Sequence, residues 1–403
     1  LLGGSLKKIN SMSGAGTPVN VQGSLKMNLS DERETMFNHV CLQIEKRFYE
    51  KNLHGVDWNA MTKAYRKFLP HINNNYDFAE MLAELLGELN ASHTGASYKG
   101  GGSSSQTAAL GVFYDETFDG DGLKIKEILE KGPLDLTSGK IKPGMIIRKI
   151  NNQEIKKGQD YFQILEDLSG KRVMLTIYDP SAKKEWEEYV KPTTYGNQNG
   201  LLYNRWVKQR QEMVEKLSNG KIGYVHVKSM DSPSFRKVYS EILGKYRNKE
   251  AIIVDTRYNG GGWLHEDLLH LLSGKKYAEF VPRGQFIGED PFTQWNKPSA
   301  VLVSESNYSN AHGFPWAYKE LGLGKVIGMP VPGTMTAVWW ETLMDPSLVF
   351  GIPQVGMKDN QGRILENMQL EPDIKVTNDP ASAMKGRDLQ LEAAVESLMK
   401  EIK

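Results

Sequence analysis

Residues 252–263 read IIVDTRYNGGGW. An apolar run, Ile252-Ile253-Val254, ends in Asp255, passes through Asn259-Gly260-Gly261-Gly262 and leads into a segment with helical spacing. A short, continuously apolar run closed by glycine fits a strand buried on both faces of a sheet. Three successive glycines permit backbone angles barred to residues with a Cβ. They also let amide N–H groups point into a cleft at a helix N-terminus, where an anion or a developing oxyanion is stabilised. The plainer reading of the same glycines is a tight strand-to-helix turn. No Lys-Ser or Lys-Thr pair follows, so this is not a Walker-type phosphate loop.

Outward from this stretch the same alternation continues. The spacing predicts a helix over 201–217 closed by Asn219-Gly220, a strand over 222–227, a helix over 234–247 and a strand over 251–255. A helix over 263–272, a strand over 300–304, a helix over 314–321 and a strand over 325–328 follow. Such a βαβ rhythm implies a mainly parallel sheet with helices on its faces, and sites at the carboxyl ends of its strands. Upstream, the period drops to two, with strands expected over 110–114, 123–128, 145–150 and 172–178 and one helix over 161–168. Gly100-Gly101-Gly102-Ser103-Ser104-Ser105 reads as a flexible joint before this β module.

Further upstream three helices are expected. One starts at Ser30 as N-cap, with Asp31 and Glu32 in its first turn. A second covers 58–68 and stops at Pro70, and a third starts at Asp77 with Glu80 completing a capping box. The expected class is α/β and multidomain. Residues 1–29 form a linker or leftover hairpin, 30–100 a helical subdomain, 101–195 a mainly β module and 196–403 an α/β core with a mainly parallel sheet.

Composition narrows the function classes. The chain has 403 residues, 39% hydrophobic and 25% charged, enough for several folded domains with real cores. Its 50 basic and 49 acidic residues leave a net charge of +1, so nothing marks nucleic acid or an anionic membrane as partner. Cys41 is the only cysteine, which excludes an intrachain disulfide and a cysteine-rich metal site; no metal ligand set and no cofactor motif is evident. No apolar run is long enough to span a bilayer. The first residues, LLGGSLKKIN, read like the middle of a longer protein.

Four stretches carry chemistry. ELNASHTG, 88–95, places Ser92 and His93 in a loop after a helix. A loop imidazole beside a hydroxyl can act as a general base, or it can cap the helix C-terminus. Gly260 and Gly261 offer the backbone donors already described. NYSNAHGF, 307–314, repeats the strand–turn–helix setting, with Ser309 or Asn310 placed to cap the helix. LENMQLEPDIKV, 365–376, puts Glu366 in a loop before a strand, either merely solvated or polarising a hydroxyl–histidine system. Together they hold an imidazole, a carboxylate, a hydroxyl and backbone donors, the inventory of acyl transfer to serine.

The order of these motifs resembles a known family. HGVDW at 54–58, ELLGELNASH at 84–93, SNGKIGYVHV at 218–227, DTRYNGGG at 255–262, ELGLGKVIG at 320–328 and LEPDIKV at 370–376 are similar to the catalytic half of the tricorn proteases, within the C-terminal-processing superfamily of serine peptidases. The resemblance covers about residues 30–380. It implies that the β module is a PDZ domain, with Gly144 in KPGMII at a strand start where Met145 replaces an aspartate, and that residues 1–29 are the tail of a β-propeller. It implies His93 as base, Ser92 and Glu366 as its orienting partners, and an oxyanion hole from the backbone at Gly260 and Gly261 and from the amide after the nucleophile. By this alignment the nucleophile falls at 311, which is Ala311, and the following amide is that of His312. A methyl group cannot attack a carbonyl.

Three readings of that alanine stand: an engineered inactivation, a natural chain in which Ser309 attacks instead, or a pseudoenzyme. We adopt Ser309. The resemblance further implies peptide substrates, possible homo-oligomers through the core, and a cytoplasmic setting, with the periplasm as alternative because the native N-terminus is missing. The rival from another class is a peptide-binding PDZ scaffold without hydrolysis.

Overall fold

The computed structural model describes residues 6–19, 28–100, 105–137 and 139–402. Residues 101–104 of the glycine–serine joint and 1–5 and 20–27 of the N-terminal segment expected as a propeller remnant lie outside them; within that segment Lys7–Ile9 pairs antiparallel with Gly16–Pro18, a short hairpin. Chain contacts divide the protein into two compact units: Leu1–Gly100 with Ala337–Gly356, and Gly101–Thr336 with Met357–Lys403.

The first unit is built on helices α1 (Leu29–Arg47), α2 (Trp58–Arg66) and α3 (Asn75–Gly87). Met36, Phe37, Val40 and Ile44 recur at helical spacing on α1 and are all buried. They meet Phe78, Leu82, Leu85 and Leu86 of α3 in one cluster. The caps differ from the expected ones. Asn28, not Ser30, caps α1, its side chain accepting from the Ser30 N–H. Asn74 caps α3 by accepting from Asp77 N–H, so that helix starts two residues before Asp77. An asparagine oxygen reaches the N2 or N3 amide as readily as serine does, and here it stands two residues earlier in α1 and three earlier in α3.

Strand Gly95–Tyr98 leaves this helical unit and pairs antiparallel with Leu348–Gly356, Gly95 opposite Gly351. Leu348, Phe350 and Ile352 bury their alternate side chains in the helical cluster. Residues 337–356 thus complete the first unit, although they lie within the stretch read from sequence as core.

Among the described residues the second unit contains two large sheets and two two-stranded ribbons, Ala108–Ala109 with Thr193–Thr194 and Ala278–Phe280 with Gly288–Asp290. The antiparallel one runs in the order Lys184–Val190, Val173–Asp179, Ile146–Ile150, Leu123–Ile128, Val112–Tyr114. The helix expected over 161–168 is only a single 3₁₀ turn, Phe162–Leu165. The other sheet is parallel throughout, in the order β1 (Ile222–His226), β2 (Ala251–Asp255), β3 (Ser299–Val303), β4 (Lys325–Gly328) and β5 (Ile374–Lys375). Ile252 and Val254 face a core shared with helices α5 (Ser232–Ser240), α6 (His265–Leu272) and α7 (Asn310–Glu320). Ile253 faces the opposite core, shared with α4 (Tyr195–Leu217) and the C-terminal helix Leu389–Glu401. Coverage on both faces is why this strand is apolar at every position before Asp255.

The carboxyl end of β2 is fixed by charge. Arg257, 1% exposed, pairs with Asp255 at 2.6 Å and with Asp388, the N-cap of the C-terminal helix, at 2.9 Å. A buried guanidinium so paired locks the turn that follows, since losing either carboxylate would strand a buried charge. Among the described residues no helix is long and apolar enough to cross a membrane.

Candidate active site

In the first unit α3 ends in a tight loop. Asn90 and His93 both have positive φ, 48° and 63°, a conformation that costs a residue with a side chain and persists only when its surroundings impose it. Gly351 imposes part of it: a Cβ there would lie 2.6 Å from the His93 carbonyl oxygen. Ser92 Oγ lies 2.7 Å from His93 Nδ1. In the tautomer with the proton on Nδ1, the ring donates to Ser92 and leaves Nε2 able to take a proton. Burial pushes the His93 imidazole below its ordinary value of 6.5, favouring that neutral form. The C-terminus of α3 is served by another residue. His54 Nδ1 donates to the Leu89 carbonyl at 2.9 Å, and its Nε2 meets Tyr49 Oη.

In the second unit, β3 turns sharply into α7. Ser309 stands at the corner with φ 57° and ψ −124°, far from helical values, and its hydroxyl makes no capping bond. The turn is held by side chains. Ser309 N–H donates to Thr334 Oγ1 at 2.8 Å, and Tyr308 N–H donates to the Asn259 carbonyl at 3.0 Å. Pro315 lies inside α7 and cannot donate to the Ala311 carbonyl. Asn307 Nδ2 donates to that carbonyl instead, at 3.1 Å, and also to Thr256 Oγ1 at 3.0 Å, tying the corner to the end of β2.

The triple glycine packs on this corner. A Cβ at Gly261, whose φ is +93°, would lie 2.7 Å from both Ser309 Cβ and the Tyr308 carbonyl. A Cβ at Gly262 would lie 2.2 Å from the Met230 carbonyl. Gly260 has open space around it. Only glycine fits at 261 and 262, and the reason is close approach to Ser309 and Met230 in addition to the turn. Asn310 joins the two corners from the other side. Its Oδ1 accepts from the N–H groups of Leu264 and His265 at 2.7 and 2.9 Å, satisfying the start of α6, and its Nδ2 lies 2.7 Å from His265 Nδ1.

Glu366 is 6% exposed, so the reading of a merely solvated loop carboxylate fails. The next residue, Asn367, donates its N–H to the Gly333 carbonyl at 2.9 Å, beside the Thr334 that holds Ser309. Within the second unit the structure therefore gathers Gly260, Gly261, Ser309 and the Glu366 segment; within the first it joins Ser92 to His93.

Three expected positions need correction. Ala311 is fully buried in the main core cluster, so any side chain at 311 points away from solvent and could not present a nucleophile. Ser309 is the corner residue, ahead of the first helical turn, whereas 311 lies within that turn. The His312 amide is consumed by the Ser309 carbonyl at 2.8 Å, and the Gly261 amide by Asn259 Oδ1 at 2.8 Å. The His312 ring is also fully buried, with neither nitrogen hydrogen-bonded, and its pKa is pushed down to about 4 by burial. Thr334 and Asn307 escaped sequence reading, since small polar residues in turns carry no periodic signal, and Asn310 was read only as a possible cap of its own helix, whereas its side chain serves the start of α6.

Comparison with known proteins agrees with this architecture. Residues 221–376 match the model described as peptidase family S41, and residues 29–87 that of the tricorn protease C1 domain. Tricorn protease homolog 1 of Streptomyces coelicolor is 26% identical over 374 residues, covering 90% of this chain and 35% of its own. The tricorn protease of Thermoplasma acidophilum is 23% identical over 384 residues, covering 92% and 34%. A crystal structure of the tricorn protease superposes with a TM-score of 0.83 at 19% identity, over 96% of this chain and 38% of that one, which is a likeness of fold. The chain spans about a third of the length of these relatives. Both family models match in order along the chain, which carries a peptidase family S41 region at 221–376 and a tricorn protease C1 region at 29–87 and is in that sense tricorn-like.

Proposed function

We propose that this chain is the catalytic part of a serine peptidase that cuts peptides through an acyl-enzyme, with Ser309 as nucleophile. The observation that carries the reading is the strained Ser309 corner packed on Gly261, a geometry that lifts one hydroxyl out of the helix start beside amides not used by the helix. In this reading His93 takes the hydroxyl proton, with Ser92 and Glu366 orienting the imidazole. The Asn310 and Gly260 amides stabilise the oxyanion, and His93 then returns the proton to the leaving amine before water hydrolyses the ester. Residues 101–195 act as a PDZ-like module, the substrates are peptides, and any self-assembly runs through the core. With the nucleophile at 309, Ala311 no longer speaks for an inactive chain.

Steady-state hydrolysis of unstructured peptides tests this. Ser309→Ala and His93→Ala should each lower kcat by about 10⁴–10⁶, as loss of a nucleophile or base does in serine peptidases. Hydrolysis that survives both substitutions would refute the assignment.

A further inference from the structure

The carboxyl ends of β1 and β2 border a cavity of about 570 Å³ that the catalytic reading does not use. Tyr203, Arg205 and Trp206 of α4 line one side, and His226, Lys228 and Tyr258 the other. The size suits one or two amino-acid side chains. Its chemistry is one-sided: two cations and three aromatic rings line it, and no carboxylate does.

The rings are fixed from behind. His226 Nε2 donates to the Arg257 carbonyl at 3.0 Å, so in the neutral ring Nδ1 is an acceptor and Tyr203 Oη donates to it at 2.9 Å. Burial lowers the His226 pKa and keeps it neutral. Trp206 stands edge-on to His226, with ring centres 4.9 Å apart, and to Tyr258, at 6.3 Å. Lys228 Nζ lies 4.7 Å from the Tyr203 ring centre and has no carboxylate partner among the described residues, whereas Arg205 is paired with Glu127. Lys228 is therefore the cavity cation held in no ion pair among the described residues, although Asp231, three residues on, lies near enough to feel its charge.

The cavity adjoins the Ser309 corner. Tyr258 is 64% exposed with φ 64°, a strained posture for a tyrosine, and its N–H is held by Ser304 Oγ at 3.2 Å. The next residue, Asn259, receives the Tyr308 N–H, one residue before Ser309. A strained, exposed ring on the rim of a cationic cavity is a recognition feature more readily than a structural one, because nothing in the core requires it.

We propose that this cavity is a subsite for a peptide segment in which an aromatic residue is followed by an acidic one. The aromatic side chain packs among Trp206 and Tyr258, and the carboxylate meets Lys228. The proposal rests on the peptidase reading, since it assigns the cavity to the peptide that Ser309 would cut. Binding is therefore measured without turnover, by calorimetry on Ser309→Ala. The probes are blocked hexapeptides carrying Phe-Glu, Phe-Lys or Ala-Glu at the centre. The Phe-Glu peptide should bind at least about ten-fold tighter than either control, as expected for one partly desolvated charge pair and one stacked ring. Adding Lys228→Glu should reverse the Glu-over-Lys preference, and Tyr258→Leu should weaken both Phe peptides alike. Equal binding of the three peptides, or a preference untouched by Lys228→Glu, would overturn the proposal. Preference intact in a chain that hydrolyses no peptide would keep the cavity and remove the peptidase reading.

Discussion

Two neighbouring strands of the parallel sheet, β2 and β3, each turn into a helix, and they do so by opposite means. After β2 the chain uses three glycines where it packs against its neighbours, and the strain of that turn falls on Tyr258, at φ 64°, ahead of them. After β3 it uses Ser309 at φ 57°, held in place by Thr334, Asn307 and the packing of Gly261. The glycine corner yields so that the serine corner can be strained. A hydroxyl kept in a sparsely populated backbone conformation marks the place where the fold serves chemistry at the expense of stability. The serine corner carries a second cost in His312, whose buried ring has no partner.

The comparison breaks hardest at Gly261. Gly261→Ala places a Cβ 2.7 Å from backbone and side-chain atoms of the serine corner, at φ +93°. Overpacking and backbone strain together should cost about 3–5 kcal/mol, read as a fall in the denaturant midpoint, and should abolish hydrolysis.

His312 comes next. Its folded pKa, about 4, lies below the ordinary 6.5. The unfolded chain therefore binds a proton first as pH falls, so stability is full above about 6.5 and declines down to about 4. At roughly 1.4 kcal/mol per pH unit the loss over that window is of order 3 kcal/mol. His312→Leu should flatten this dependence, and thermal melts between pH 7 and 4 measure it.

Thr334→Val leaves the half-buried Ser309 N–H without its acceptor. It should destabilise by about 1–3 kcal/mol and lower kcat more than it changes KM. Chemical denaturation and steady-state kinetics on one preparation separate the two effects. Gly260→Ala, with open space and ordinary φ, should change stability by no more than about 0.5 kcal/mol, the smallest effect of the four. A large loss there would erase the distinction drawn between adjacent glycines.

The parallel sheet was legible because burial on both faces writes itself as apolar runs such as Ile252-Ile253-Val254. The corner types were legible from glycine and asparagine chemistry. Which residue of NYSNAHGF stands at the corner was not: resemblance places a motif, but only the onset of α7 at Asn310 distinguishes a corner residue from one inside the first turn. The pairing of 348–356 with 95–98 was also hidden, since a partner some 250 residues away leaves no local pattern. His54 reaches the end of α3 from 35 residues upstream, a contact that leaves no local signal in the sequence.

The most direct test of the account is a fluorophosphonate probe followed by mapping of the modified peptide. The account predicts one adduct, on Ser309, lost in His93→Ala and kept in Lys228→Glu. An adduct on any other serine, or no adduct on a folded chain, would contradict it.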